Sequence, residues 1–204
     1  RLYYNNGILL FEGEYLNGAK WNGTLYDRNH EYMFILKDGK GYVKEYDVYS
    51  GVIKYEGEYI NGERNGKGKE FICTDMMKFE GEYLNGKRKK GNEYNSHRKL
   101  IFIGEYFNGE RKKGKEYNEE GKILFEGEFL NGKKWNGILF NKKNNNCSSM
   151  LKNGKGYIKE YDSENRLEFE GEYSNEKING KGKAYHLNGK LKYEGEYSDG
   201  KRSG

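Results

Sequence analysis

Residues 79–94 read FEGEYLNGKRKKGNEY: two aromatic residues flank Glu-Gly-Glu, and Asn-Gly and a run of cations follow. Close variants of this stretch begin at Phe11, Tyr55, Phe102, Phe125, Phe169 and Tyr193. The central glycines of the motif are 23, 24 or 44 residues apart, so the longest interval reads as two repeats. A feature that recurs this often calls for an architectural explanation before a chemical one.

Two degenerate repeats account for the long intervals. MFILKDGKGYVKEYD (33–47) and MLKNGKGYIKEYD (150–162) keep the turn glycine and the strand after it but lack Glu-Gly-Glu. The sequence therefore predicts one array over 1–204, built from about nine repeats of roughly 23 residues. The predicted repeats lie near 11–32, 33–54, 55–78, 79–101, 102–124, 125–149, 150–168, 169–192 and 193–204.

A longer order lies over the short one. Trp21 and Trp135 are 114 residues apart, and Gly57 and Gly171 have the same separation. WNGTLYD is paired in this way with WNGILFN, and KDGKGYVKEYD resembles KNGKGYIKEYD. The spacing indicates that a block of five repeats was duplicated as a whole.

The period within a repeat is two, which is typical of β-strands. In KILFEGEFLNG (122–132), Phe125, Gly127 and Phe129 share one face, and Glu126 and Glu128 share the other. Asn-Gly then supplies the left-handed positions of a hairpin turn. We expect a ring to cover each glycine, and Glu126 to face Lys115 across strands. The predicted fold is all-β: a single elongated antiparallel sheet of stacked hairpins.

The composition favours a thin repeat fold over a compact globule. The chain has 204 residues, of which 34% are hydrophobic, 34% charged and 16% aromatic. Low hydrophobicity with many charges is typical of disorder, but here the aromatic residues recur at fixed spacing. In a repeat fold, each ring is covered by the neighbouring repeat. The net charge of +5 is small beside 37 cations and 32 anions, so no nucleic-acid partner is expected.

The array resembles the MORN repeat family, whose consensus runs close to YEGEW-x-x-G-K-R-x-G-x-G-x-Y. Residues 55–59 with Gly62, Arg64, Gly66 and Gly68 carry the resemblance best, and it extends over almost the whole chain. Tyr or Phe stands where the family has Trp. The aromatic residue after the second glycine also has the opposite strand parity, which indicates a bulge or a divergent subgroup.

The resemblance implies a rod-like scaffold without a catalytic centre. Arrays of this family bind protein partners, often through an aromatic-lined groove, and several form dimers. Phosphoinositide binding has been proposed for them, and some precede catalytic domains. The expected partners are therefore a helix or extended peptide, a second copy in a homodimer, or an anionic lipid.

Motifs that imitate catalytic sites are explained by the repeat. Paired glutamates occur in six repeats, whereas catalysis needs such a pair once, in a shielded pocket. Gly109 to Lys115 matches a phosphate-binding loop, but Glu116 stands where Ser or Thr should hold magnesium. The three histidines are scattered, and Cys73 and Cys147 match no metal-ligand spacing. We expect no catalytic residue, no metal and no cofactor, and the cysteines favour a reducing compartment.

Basic loops occupy equivalent positions in three successive repeats, so stacked hairpins would align them into a basic stripe. This stripe would steer an acidic protein or an anionic membrane, although a solvated rim that blunts edge pairing is the simpler interpretation. The residues of the predicted stripe are Lys87, Arg88, Lys89, Lys90, Arg111, Lys112, Lys113, Lys133 and Lys134.

Aromatic residues form a second candidate surface. If the sheet has one layer, part of the aromatic face stays open as a groove for a helix or extended peptide. Packing of the rings on one another and on the glycines is the competing interpretation. For the two tryptophans, packing on the adjacent degenerate repeat is favoured. The predicted groove residues are Tyr59, Tyr83, Tyr106, Phe129, Tyr173, Trp21 and Trp135.

The sequence thus predicts a non-catalytic, cytoplasmic scaffold at the cytoskeleton or membrane periphery. It would bind a protein partner through an aromatic groove with a basic rim. Two alternatives stay open: a peripheral module that binds phosphoinositides, and a regulatory repeat region of a larger enzyme.

Overall fold

The computed structural model of the chain describes residues 1–31, 33–141 and 144–203. Internal contacts divide the chain into two units. The N-terminal unit comprises Arg1–Lys99 with Tyr106–Gly109, and the C-terminal unit comprises Leu100–Glu105 with Glu110–Gly204. Each unit holds one of the two tryptophans and one degenerate repeat, as the duplication of a five-repeat block would produce.

The described residues form antiparallel β-strands and no helix, which confirms the predicted all-β fold. The strands of the N-terminal unit are β1 (Leu2–Tyr3), β2 (Leu9–Leu16), β3 (Ala19–Tyr26), β4 (Met33–Leu36), β5 (Gly41–Tyr46), β6 (Ile53–Ile60), β7 (Glu63–Cys73), β8 (Met76–Leu84) and β9 (Lys87–Tyr94). The next strand, β10 (Leu100–Phe107), has residues in both units. The C-terminal unit continues with β11 (Glu110–Tyr117), β12 (Ile123–Leu130), β13 (Lys133–Phe140), β14 (Cys147–Leu151), β15 (Lys155–Tyr161), β16 (Leu167–Ser174), β17 (Lys177–Tyr185), β18 (Leu191–Ser198) and β19 (Lys201–Ser203).

Asn-Gly turns close the hairpins as expected. Between β12 and β13, Asn131 has φ 51° and Gly132 has φ 74°, the two left-handed positions that a tight turn of this kind requires. Leu130 and Lys133 pair on either side of the turn. The second type of connection joins successive hairpins and is held by a side chain. In one example, the Asn118 carboxamide oxygen accepts hydrogen bonds from the N–H groups of Glu120 and Lys122.

The sheet is not continuous as the sequence suggested, because it is interrupted once in each unit. The interruption falls between β4 and β5, and again between β14 and β15. At the first, only Lys37 and Lys40 pair around a two-residue turn. Gly39 of this turn donates its N–H to the Trp21 carbonyl at 2.8 Å and lies on the indole ring. The degenerate repeats therefore interrupt the ladder, and the tryptophans pack beneath their turns, as the sequence favoured.

The core is built from rings that lie on pairs of glycines. Gly81 and Gly91 are directly opposite each other on β8 and β9. A Cβ atom built on either would lie 2.9 or 2.6 Å from Cζ of Phe79, which is fully buried. For Gly81 the ring comes from the same strand, two residues earlier, because residues i and i+2 share a face. For Gly91 the same ring comes from the adjacent strand, and the expectation that a ring covers each of these glycines is confirmed.

The same arrangement recurs along the chain. We call the aromatic residue before Glu-Gly-Glu the first ring and the one after it the second ring of a repeat. First rings lie on the paired glycines, and second rings contact them edge-on. Tyr83 meets Phe79 of its own repeat at a centroid distance of 5.5 Å and Tyr55 of the preceding repeat at 5.1 Å. The first rings of the other repeats that lie on glycine pairs are Phe11, Tyr55, Phe102, Phe125 and Phe169.

Gly81→Ala tests this constraint. The added methyl would lie 2.2 Å from the Lys90 carbonyl oxygen and against the Phe79 ring, in backbone that cannot yield without breaking the ladder. We expect the free energy of unfolding to fall by about 3 kcal/mol, measured by urea denaturation. The matched control is Gly109→Ala, where nothing lies within 4 Å of the new methyl. At Gly109, alanine is destabilising only because it must adopt φ +86°, which lowers the free energy of unfolding by about 1 kcal/mol. A loss at Gly81 no larger than this would contradict the packing argument.

Candidate functional site

The structure buries three of the seven aromatic residues predicted to line a groove. Tyr83, Tyr106 and Phe129 are 2%, 7% and 8% exposed. Tyr59, Tyr173 and the two tryptophans are half-buried. The expectation of an open groove is therefore corrected for Tyr83, Tyr106 and Phe129, and for the four half-buried residues it stays a prediction. Tyr83, Tyr106 and Phe129 contact first rings edge-on, and the Arg88 guanidinium lies 5.9 Å from the centroid of the Tyr106 ring.

Three residues of the predicted basic stripe are half-buried over aromatic rings. The Arg88 guanidinium lies over the Phe79 ring at 4.4 Å, and that of Arg111 lies over Phe102 at 4.6 Å. Lys134 takes the same place over Phe125 at 5.9 Å. Cations over aromatic faces are favourable, the more so when they are shielded from water. The other six members of the stripe are exposed: Lys87, Lys89, Lys90, Lys112, Lys113 and Lys133.

The buried cations pair with glutamates that sequence reasoning did not single out. Arg64 donates two hydrogen bonds to Glu45, at 2.8 and 2.7 Å, and Arg88 donates two to Glu70. The Tyr83 hydroxyl also donates to Glu70, at 2.9 Å. We call these arginines, glutamates and tyrosine hydroxyls the polar spine. Its sequence signal is an arginine at the second position after the turn glycine, at 64, 88 and 111.

The polar spine lowers the pKa of its two carboxylates, Glu45 and Glu70. Burial alone would raise the pKa of Glu70, but hydrogen bonds and charge from Arg88 outweigh it and hold the pKa below its usual range. Arg64 and the Tyr59 hydroxyl have the same effect on the pKa of Glu45. Both carboxylates therefore stay ionised within the fold. Their task is to anchor the cations that cover the rings.

The opposite, outer face of the sheet carries the Glu-Gly-Glu carboxylates. Glu126 lies 3.3 Å from Lys115, which confirms the expected cross-strand pair. Further pairs on this face include Lys44–Glu56 at 3.4 Å and Lys183–Glu194 at 3.1 Å. Such exposed pairs contribute little to stability, about 0 to 1 kcal/mol each. The carboxylate pairs are thus distributed over an open, charge-matched surface, with no shielded pocket around them.

An open depression of about 440 Å³ lies on the outer face of β5 to β9. Its floor is the backbone of Gly68, Gly81 and Gly91, and lysines and glutamates line its sides. Tyr42 also lines it and is 54% exposed. The C-terminal unit has a smaller counterpart of about 290 Å³, which includes Tyr157, 51% exposed. Tyr42 and Tyr157 occupy equivalent positions in the two degenerate repeats.

The remaining candidate chemistry finds no geometric support in the described residues. Within them, no group of three or more His, Cys, Asp or Glu side chains is placed to hold a metal ion. The stretch that imitates a phosphate-binding loop continues as strand β11. Across residues 1–31, 33–141 and 144–203, no helix has the length and apolar character needed to span a bilayer.

Comparison with known proteins gives no assignment. A scan against protein-family models found no match, and a search of curated proteins found none. The resemblance to MORN repeats therefore stays a prediction. The structure itself shows repeated β-hairpins.

Glu70→Gln tests the polar spine. It removes a charge held by Arg88 and Tyr83, so we expect about 2 kcal/mol lower free energy of unfolding at pH 7. Because the native pKa of Glu70 is lowered, wild type gains full stabilisation only above the ordinary value of 4.5 and loses it as the pH falls through the native pKa. Urea denaturation at successively lower pH should show that the difference in free energy of unfolding between the variant and the wild type shrinks as the pH falls.

The control for this experiment is Glu82→Gln, whose side chain is 51% exposed and pairs with Lys89. We expect it to change stability by less than about 0.5 kcal/mol. If both variants lost the same amount, the stabilising role of the polar spine would be refuted.

Proposed function

We propose that this chain is a non-catalytic repeat scaffold that binds protein partners through the outer faces around Tyr42 and Tyr157. The observation that carries the proposal is the repetition of one open depression in both units, each with a half-exposed tyrosine beside a glycine floor. Tyrosine supplies a rigid ring and a hydroxyl at low entropic cost and is enriched at interaction hot spots. The aromatic affinity that the sequence predicted is thus assigned to different rings.

The lining of the depressions favours a polypeptide as the partner. Lysines and glutamates alternate across strands, as in the register pairs Lys67↔Glu82 and Glu82↔Lys90. Such a surface offers donors and acceptors at strand spacing, which suits an extended peptide with both charge signs. Two equivalent sites on one chain also allow a partner with two such segments to bind with higher avidity. A cytoplasmic location at the cytoskeleton or membrane periphery belongs to the same proposal.

A membrane-surface function is the second candidate. Lys87, Lys112 and Lys113 remain exposed, and each cation near an anionic bilayer contributes about 1 kcal/mol. The loss of Arg88, Arg111 and Lys134 to the interior weakens this candidate. A role as the regulatory region of a larger enzyme stays a prediction that is compatible with either surface.

The double variant Tyr42→Ala/Tyr157→Ala tests the proposed function. Wild-type and variant chains are immobilised and exposed to an extract of the source cells, and the bound proteins are quantified by mass spectrometry. We expect a specific partner to bind the double variant at least 10-fold less, because hot-spot truncation costs about 2 kcal/mol or more. The control is Tyr49→Ala, a loop tyrosine that is 72% exposed. The proposal fails if no protein retained by the wild type and the Tyr49 variant is lost with the double variant.

Flotation with phosphoinositide-containing vesicles separates the second candidate from the first. Under the scaffold proposal, the wild-type chain should not float at physiological salt. The Lys87→Glu/Lys112→Glu/Lys113→Glu variant should still bind the partner defined above. Flotation of the wild type that this variant abolishes would favour the membrane function instead.

A further inference from the structure

The Asn-Gly turns of the array differ in the environment of one backbone amide. In the turn between β8 and β9, the Gly86 N–H donates a hydrogen bond to the Arg64 carbonyl of the preceding hairpin at 2.9 Å. In the turn between β10 and β11, the Gly109 N–H has no hydrogen bond to any described residue. The two turns share their backbone geometry, since Asn85 has φ 48° and Asn108 has φ 52°. The Gly109 amide is therefore the less restrained of the two.

A cation lies beside the Asn108 side chain. The Lys87 ammonium donates a hydrogen bond to the Asn108 carboxamide oxygen at 3.3 Å. Lys87 is the first residue of β9, and Glu63 has the same position in the preceding hairpin. A carboxylate oxygen of Glu63 lies 3.8 Å from the position of a Cβ atom on Gly86. The turn of Asn108 is thus next to a positive charge, whereas the turn of Asn85 is next to a negative one.

Both features affect the same reaction, the deamidation of asparagine. The amide nitrogen of the following glycine loses its proton to water or hydroxide and attacks Cγ of the asparagine; ammonia leaves and a cyclic succinimide forms. Water then opens the ring at either carbonyl, which gives aspartate or isoaspartate. The nitrogen reaches Cγ only when the turn opens, so a hydrogen bond that ties the glycine N–H to another strand slows the reaction. A neighbouring ammonium stabilises the negative charge that develops on the carboxamide oxygen.

From this geometry we infer that Asn108 is the preferred site of spontaneous deamidation among the Asn-Gly turns that close the hairpins. Of these turns in the described part of the chain, it alone combines a glycine N–H without a hydrogen bond and a lysine on the asparagine carboxamide. The modification requires only water as a co-reactant. It involves neither Tyr42 nor Tyr157, so it stands or falls independently of the proposed function.

The last hairpin shows the arrangement that deamidation would produce. Asp199 and Gly200 form the turn between β18 and β19, in place of Asn-Gly. The Lys177 ammonium, in the position equivalent to that of Lys87, lies 3.4 Å from the Asp199 carboxylate. Conversion of Asn108 to aspartate thus exchanges a hydrogen bond for an ion pair and offsets one exposed charge of the basic stripe. Conversion to isoaspartate also lengthens the backbone of a tight turn, which weakens the hairpin.

The test measures deamidation in the full chain. Freshly purified protein is incubated at neutral pH and digested, and mass spectrometry quantifies the asparagine, aspartate and isoaspartate forms of each Asn-Gly peptide. Isoaspartate is confirmed by its methylation with isoaspartyl methyltransferase. We expect Asn108 to convert about 5-fold faster than Asn85, the effect of one backbone hydrogen bond. Equal conversion at the two positions would overturn the inference.

A parallel incubation in urea shows whether the difference comes from the fold. Both asparagines precede glycine, so in the unfolded chain Asn85 and Asn108 should convert at similar rates. A preference for Asn108 that persisted in urea would come from the local sequence and would also overturn the inference.

Two further comparisons isolate the contribution of the ammonium. Lys87→Met keeps the length of an exposed side chain and removes its charge, and it should slow conversion of Asn108 about 3-fold. Asn131 is the control within the wild-type chain, because the Gly132 N–H has no hydrogen bond to a described residue and Glu110 has the position of Lys87. Asn131 should convert more slowly than Asn108. An unchanged rate in the variant, or conversion at Asn131 as fast as at Asn108, would each refute the assignment.

Discussion

The structure depends on one packing arrangement, in which an aromatic ring lies flat on two paired glycines and is covered by a cation. Phe79 shows it completely: Gly81 and Gly91 lie beneath the ring, Arg88 lies above it, and second rings meet its edge. Burial of such a ring contributes about 2 to 3 kcal/mol, and each edge contact about 1 kcal/mol more. A chain with few aliphatic residues can fold in this way, because glycine lets the ring approach the backbone itself.

The cation that covers the ring explains the polar spine. A guanidinium over a buried ring must have its N–H groups satisfied, and glutamates of the same and the preceding repeat do this. Arg64 reaches Glu45 at 2.7 Å and Glu70 at 3.7 Å, so one arginine joins two successive repeats. Replacing such an ion pair with apolar residues often leaves the stability unchanged, so the clearest contribution of the pair is to fix the register of the hairpin. In the repeat of Arg88, a hairpin that slipped by one residue would bring Lys87 or Lys89 over the ring in place of the arginine.

How far the sequence determines the structure can be judged residue by residue. The Asn131–Gly132 turn, the Lys115–Glu126 pair and the period-two strands were predictable, because turn chemistry and strand alternation are local. The position of Arg88 was not predictable. In the run Lys87 to Lys90, the half-buried cation differs from its exposed neighbours only in the face of the strand on which its side chain lies. The register shift between Glu82 and Tyr83 alters that parity. The interruption of the sheet was also unpredictable, since it depends on how Trp21 packs beneath a turn of the next repeat.

The two halves of the duplication show which core changes are compensated. Where the N-terminal unit pairs Arg64 with Glu70, the C-terminal unit has Ile178 and Ala184. Both members of that ion pair are replaced together, whereas Glu160 is retained at the position of Glu45, the other partner of Arg64. The change from Phe34 to Ser149 is different, because it removes a ring and adds a buried hydroxyl, which accepts a hydrogen bond from the Lys159 N–H. Leu25, Leu36 and Val43 correspond to Leu139, Leu151 and Ile158, a gain of one methylene against the loss of a phenyl ring.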